Sequence, residues 1–570
     1  MAIFKRGKKK RTRDNSGGKV IELQITGMTC SSCASHVQQA LQEVDEVIEA
    51  HVPAWQENKA QVKVHGDVRE ETLTKAVKEA GYGASVIHGT VDMAANAHNS
   101  WQRDVDYDLV VIGTGGGGMG AAIRAAENGH KVAIVEGGVI GGTCVNIGCV
   151  PSKALIRAAE AYHTAGYHPF AGLKTKAEGV DWQALIEQKD ELVTGLRQNK
   201  YVDVLNSYED ITLIQGWAKV DENSDVFVND KRVLKAGRVV VATGASPKVL
   251  PIEGIENVDV LNSTTAMALQ KQPQSLIVLG GRAIALELGQ AFARLGTKVT
   301  ILQRSPRLVP DHEPEIGETL VEYLRKEGIE VQTEVSVQAF REEKGNKIIT
   351  ASVRGERREF QAEQILMALG RTPNTRDMGL EAAGIELDKS GFIKVDSYLQ
   401  TSNPKVYAVG DVTTLPNFVY VAAAAGGIAA ENALNGNSKK FDLSVLPEVI
   451  FTDPQIATVG PTEAQAKAEG YDVKISTLPL EYVPRALAAR DTRGFIKLVA
   501  DSKSNRLLGA HILAAEAGEV IQTASLAVKM GKQHGFTVAD LRDMLFPYLT
   551  QVEGIKLAAQ TFEKDVAQLS

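Results

Sequence analysis

Two close pairs of cysteines carry most of the reactive chemistry in this chain. GMTCSSC sets Cys30 and Cys33 three positions apart, GGTCVNIGCVPSK sets Cys144 and Cys149 five apart, and the 570 residues hold no other cysteine. Paired thiols in a protein with few cysteines point to dithiol redox chemistry or to a soft metal ion rather than to structural stapling. Pro151 and a helix expected to begin near Ser152 follow the second pair, and a helix start favours a thiolate. The CxxC of Cys30/Cys33 leaves three uses open: a soft-metal site, a thioredoxin-like redox site or half of a zinc site.

Several folded units must position these thiols. From Ile21 to about Ile87 the hydrophobic pattern alternates as strand, cysteine loop, helix (SHVQQALQEV), two strands, helix (ETLTKAVKEA) and strand, a ferredoxin-like β-α-β-β-α-β domain over residues 20–88. A basic tail at 1–19, carrying KRGKKKRTR, precedes it, and a small, polar linker at 89–104 follows. Asp106–Glu136 then reads as an apolar strand, a glycine turn, a helix and a second strand closed by an acid. Gly113, Gly115 and Gly118 have GxGxxG spacing, and Glu136 can accept from ribose hydroxyls, so the unit is expected to hold an adenine dinucleotide.

A second such unit spans Ser275–Arg304 and departs from the pattern. Gly280 is followed by Gly281 and Arg282, the terminal acid is replaced by Gln303, and Arg304 and Arg307 lie just beyond. Arginines bind a 2′-phosphate through paired donors, which favours NADPH over NADH. The expected class is α/β: two Rossmann-like dinucleotide-binding domains and an α+β C-terminal domain at 447–570, after the small ferredoxin-like one. A net charge of −7 argues against general affinity for nucleic acid, and no eighteen apolar residues run uninterrupted, so no membrane span is expected. No signal-peptide pattern follows the basic run, which points to a cytoplasmic location.

GGTCVNIGCVPSK resembles the active-site signature of the FAD-dependent pyridine nucleotide-disulfide oxidoreductases. VVATGASP (Val240–Pro247), ALGRTPNT (Ala368–Thr375) and VYAVGDV (Val406–Val412) follow in that family's order, and the match covers roughly residues 105 to 570. The resemblance implies an FAD domain at 105–262 and 375–446, an NADPH domain at 263–374 and a dimerisation domain at 447–570. It implies that NADPH reduces FAD, which reduces a Cys144–Cys149 disulfide. Cys149 would face the flavin and Cys144 would be the outer thiol. Gly142, Thr143 and Asp411 would contact FAD, and Lys153 and Glu287 would pair beside it.

Relatives that reduce organic disulfides carry a His-Pro-Thr segment with a glutamate five residues after the histidine. Here FPYLTQVEG keeps Glu553 but has Tyr548 in the histidine's place, and a neutral tyrosine is a poor base at neutral pH. This segment, VPRALA (Val483–Ala488) and the NKY ending at Tyr201 resemble those of the mercuric reductases, the branch that delivers electrons to Hg(II). GMTCSSC resembles the metal loop of heavy-metal-associated domains, which implies that Cys30 and Cys33 collect Hg(II) from thiolate complexes or carrier proteins and hand it to Cys144 and Cys149. A homodimer is implied, since FPYLTQVEG would reach a partner's site. Mercuric reductases normally carry a Cys-Cys pair near the C-terminus, whereas FEKDVAQLS holds none; a lost pair and a shortened chain both fit. Reduction of an organic disulfide, and metal carriage by GMTCSSC alone, stand as the alternatives.

Overall fold

The computed structural model describes residues 19–28, 31–42, 44, 47–52, 58–64, 68, 70–86 and 105–569. The basic run, the linker and Cys30 lie outside them. The chain divides into two compact units, one ending at Asp104 and one beginning at Val105.

In the first unit β1 (Lys19–Thr26), α1 (Ser31–Gln42), β2 (Val47–His51), β3 (Lys59–Val64), α2 (Glu70–Glu79) and β4 (Gly83–Val86) follow in the expected order. The sheet runs β2-β3-β1-β4, and its recorded pairings are antiparallel. Ala60, Val62 and Val64 alternate into the core and meet Val37 and Leu41 of α1 and Leu73 and Val77 of α2, the period-2 and period-3.6 faces that the sequence displays. Two boundaries differ from expectation. Lys19 already pairs with Val64, so the strand begins inside the span assigned to the tail. The helix starts at Ser31, which puts Cys33 in its first turn rather than in a loop; the apolar period begins only at Ala34 and is silent about that turn.

The second unit is built around three sheets. β5 (Tyr107–Ile112), β6 (Val132–Glu136), β7 (Ile211–Gln215), β8 (Ala236–Val241) and the strand Val406–Ala408 form a parallel sheet, ordered from Val406–Ala408 through β8, β5 and β6 to β7. Its central strands are almost wholly buried, as strands covered on both faces must be. α3 (Gly116–Glu127) leaves the end of β5 and lies against the helix Val419–Asn435 so closely that a Cβ on Gly426 would stand 2.1 Å from the Gly117 carbonyl oxygen.

β9 (Ser275–Leu279), α7 (Ala283–Arg294) and β10 (Lys298–Leu302) begin a second parallel sheet, which Glu330–Gln332 and Gln364–Met367 complete at its two edges. A third, antiparallel sheet holds five strands between Pro447 and Ala514, covered by the helices Ala517–His534 and Glu553–Gln560.

Candidate active site

The first glycine turn is a backbone cradle. Gly113 has φ +103°, and a Cβ there would come within 2.4 Å of the Ala242 carbonyl oxygen; one on Gly118 would come within 1.9 Å of Gly113 O. Gly115 caps α3 with no side chain on the first amides, which leaves the helix N-terminus open to an anion. Gly142, with φ +64°, lies directly over it: a Cβ on Gly142 would stand 2.6 Å from Gly115 Cα. A pyrophosphate needs just such bare backbone, so the turn fits the FAD that the resemblance implies.

The elements around the cradle fix the cysteine loop. Glu136 accepts hydrogen bonds from Thr114 N and Oγ1 and from Gly138 N, while buried Thr114 accepts one from Gly141 N at 2.9 Å. Thr114 therefore links the acid of β6 to the GGT segment, a role that its variable fingerprint position does not announce. Thr143 and Cys144 sit in α4 (Gly142–Ile147). Asn146 Nδ2 donates to the carbonyls of Ile140 and Gly142, and Arg197 Nε donates to Asn146 Oδ1 at 2.6 Å.

Cys149 is the first residue of α5 (Cys149–Gly166), three residues earlier than the expected helix start. Gly148 serves as the cap, so Pro151 falls within the first turn, where its missing N–H is not needed. The Cys144 thiol donates to Cys149, and this bond, with the positive charge of Lys153, outweighs partial burial and brings Cys149 down to about 7. Donating that proton, together with burial and the neighbouring charge, pushes Cys144 up. Cys149 is thus the more acidic of the two sulfurs. In reduced protein stripped of flavin, where Cys149 is exposed, alkylation by iodoacetamide followed by mass spectrometry should label Cys149 first with a rate that rises through a midpoint near pH 7. Prior labelling of Cys144 would reverse the assignment.

Lys153 Nζ lies 2.6 Å from Glu287 Oε2 and 4.7 Å from the ring centroid of Phe451. Glu287, buried on α7, also accepts from Phe451 N at 2.9 Å, so the pair joins α5, α7 and the C-terminal sheet region. Tyr201 stands beside the thiols, in a π-helical turn (Gln198–Val202) that continues α6 (Trp182–Arg197). Burial raises its pKa, and the charges of Cys144 and Cys149 raise it further, so its hydroxyl stays neutral close to the pair. Arg371 of ALGRTPNT is not marked out by the sequence; its buried Nε lies 3.5 Å from Asp411 Oδ2 and has no hydrogen-bond partner among the described residues. Burial lowers the Arg371 pKa against the pull of Asp411 and Cys149, which places a cation within reach of the thiolate. Burial likewise raises Asp411, and Arg371 opposes it.

Other expected residues stand apart. Tyr548 is 71% exposed, with Leu545 and Leu549 bare beside it, and it is not among the groups that shift the two thiols of its own chain. In the second unit Gly280 has φ +124°, and a Cβ there would meet Ala368 O at 2.6 Å. Arg282 caps α7 and pairs with Asp311. Buried Gln303 packs under Gly281, Arg304 is exposed, and Arg307 donates to Pro310 O at 3.0 Å while its buried Nε has no hydrogen-bond partner among the described residues. Cys33 is partly buried against the core of the first unit, and Cys30 lies outside the described residues.

Known families and proteins resemble this chain over most of its length. The pyridine nucleotide-disulphide oxidoreductase model matches residues 107–426, the dimerisation domain of that family matches 446–559, and the heavy-metal-associated domain matches 22–83. The mercuric reductase of Lysinibacillus sphaericus is 45% identical over 551 residues, covering 96% of this chain and 98% of its own, and that of Staphylococcus aureus is 45% identical with the same coverage. Among solved structures, the HOCl-induced flavoprotein disulfide reductase RclA from Escherichia coli superposes with a TM-score of 0.72 at 30% identity, covering 80% of this chain and 99% of that one. Among the described residues no helix is long and apolar enough to cross a membrane. A glycine cradle for a flavin nucleotide, a polarised cysteine pair and near full-length likeness place this chain in the pyridine nucleotide-disulphide oxidoreductase family, within its mercuric reductase branch.

Proposed function

We propose that the chain reduces Hg(II) to Hg(0) with electrons from NADPH, and so detoxifies mercury. The observation that carries this is the Cys149 thiolate beside the Cys144 thiol, with Tyr201 against them and no histidine in the segment that would protonate an organic thiolate. In the net reaction NADPH and Hg(II) give NADP⁺, H⁺ and Hg(0). When bound, FAD supplies the two-electron link between the pyridine nucleotide and the cysteine pair. Residues 105–262 and 375–446 would hold it, with Gly113, Gly115, Gly118, Gly142, Thr143, Glu136 and Asp411 as contacts; 263–374 would hold NADPH.

The chain's own groups perform the rest. Cys149 attacks as a thiolate and displaces one thiolate from the Hg(II) complex, Cys144 passes its proton to the second leaving thiolate as it becomes the second ligand, and two soft sulfurs then hold the soft cation. Lys153, held by Glu287, keeps a positive charge beside the developing thiolates. Tyr201, kept neutral by burial and the nearby sulfurs, would donate to sulfur without competing as a base. Residues 447–570 would pair two copies, which brings Tyr548 and its exposed neighbours to the partner's cysteines. Cys30 and Cys33 would collect Hg(II), from carrier proteins among other sources, and pass it on within the cytoplasm.

Arg304 and Arg307 would read the 2′-phosphate. Replacing both by glutamine should raise KM for NADPH by about tenfold or more while leaving KM for NADH within about twofold, because charge-assisted contacts to phosphate are lost. Equal effects on the two coenzymes would remove that role. The function itself is tested by NADPH oxidation with excess thiol, with and without Hg(II), while volatile mercury is trapped from the headspace. Matching oxidation and Hg(0) release support it; oxidation driven by lipoamide or glutathione disulfide instead of Hg(II) would mark a disulfide reductase.

A further inference from the structure

Trp217 is an exposed tryptophan built into the edge where the first dinucleotide would lie. It follows β7, whose last residue, Gln215, stands in register with Glu136 at the end of β6. In a parallel sheet, ligands bind outside the carboxyl ends of the strands, so the loops after β6 and β7 flank the adenosine half of whatever Glu136 receives. Both loops are tied together: Gly216 N donates to Glu136 O at 2.8 Å, and Gln215 Nε2 donates to Gly138 O at 3.0 Å.

The indole is held by its backbone and left open on the outside. Trp217 N donates to Asn229 Oδ1 at 2.9 Å and Asn229 N donates to Trp217 O at 2.8 Å, yet the residue is 74% exposed. Its inner edge rests on Gly137, the residue directly after Glu136, where a Cβ would come within 2.7 Å of the ring. Glycine at 137 therefore lets the ring lie beside the ribose-binding acid. A flat, fixed aromatic surface at that point matches a purine base, which stacks on aromatic faces.

We propose that Trp217 stacks on the adenine of the FAD held by the first glycine turn and is a main determinant of its retention. The inference rests on the flavoenzyme assignment above. Full-length apoprotein, stripped of flavin, is titrated with FAD and separately with FMN, which has no adenine, and flavin fluorescence reads binding. Trp217→Ala should raise the Kd for FAD by about tenfold or more while Trp217→Phe stays within about threefold of wild type, as loss and retention of one base-stacking contact require. FMN binding should be the same in all three proteins. An FAD Kd unchanged in Trp217→Ala, or FAD and FMN weakened alike, overturns the stacking role while leaving the flavoenzyme intact. A wild-type chain that takes up no FAD overturns the flavoenzyme assignment itself.

Discussion

Cys149→Ala should abolish Hg(II)-dependent NADPH oxidation, with a loss of at least about a thousandfold in kcat, because the group removed is both the attacking thiolate and a ligand of the metal. Cys149 is the only one of the pair that environment makes ionised near neutrality: the Cys144 thiol donates to it and Lys153 sits beside it. In the variant Cys144 loses its acceptor, and a single sulfur cannot bind Hg(II) through two thiolates. Cys144→Ala has a different signature. Cys149 then keeps Lys153 and the helix start but loses its strongest stabiliser, so its alkylation midpoint should move above the value near 7. Steady-state turnover of both variants, with alkylation profiles beside it, checks the assignment. Retention of a tenth or more of wild-type turnover by Cys149→Ala would sink the mechanism.

What the sequence disclosed about this site was local, and what it concealed was not. The two strand-turn-helix units are visible because glycines at fixed offsets and an apolar strand are needed within thirty residues of one another. The cysteine pair is visible for the same reason. The Lys153–Glu287 pair joins residues 134 positions apart and came only through family resemblance. Tyr201 was reached the same way, since a π-helical turn adds one residue to a helix and leaves no trace in a 3.6-residue period. Thr114 and the Arg197–Asn146 contact went unseen, because hydroxyls and amides carry no pattern that says which loop they will tie down. The helix at Cys149 was placed late because proline favours the first helical position, and here it occupies the third.

The same limit hides a buried charge cluster of the second unit, where Lys497→Ala should cost about 3–5 kcal/mol of stability, the usual penalty for breaking a buried ion pair from one side. Lys497 sits mid-strand in FIKLVAD and is 1% exposed. Its Nζ lies 2.9 Å from Glu313, 2.9 Å from Glu315 and 3.1 Å from Glu463, so it ties the start of the helix Pro314–Lys326 to the C-terminal sheet. Without it, Glu313 and Glu315 lose their shared cation and Glu463 keeps only Lys467, and the thermal midpoint should fall on the order of 10 °C at pH 8. Acidification should narrow the gap. Lys467 and then Lys497 hold Glu463 below the usual glutamate range, and a backbone hydrogen bond and Lys497 hold Glu315 there against burial, so the stability these two contribute is still present at pH 5 and is lost only as pH falls through their lowered values. His511, lowered by burial, faces the same cluster, and His312, brought down to about 4 by burial with His511 and Arg282 adding to it, is next to Glu313 in the chain. Both therefore weaken the wild type as pH drops below the ordinary histidine value. In the variant, His511 is freed from the opposing charge of Lys497 and lies 3.9 Å from Glu313, so it takes up a proton more readily and partly replaces the missing cation. Melting curves of wild type and Lys497→Ala at pH 8 and pH 5 measure the difference, and Lys497→Met with Glu313→Gln should recover part of it. Equal midpoints at pH 8 would show that the cluster adds nothing to stability, and a gap that widens toward pH 5 would reverse its electrostatics.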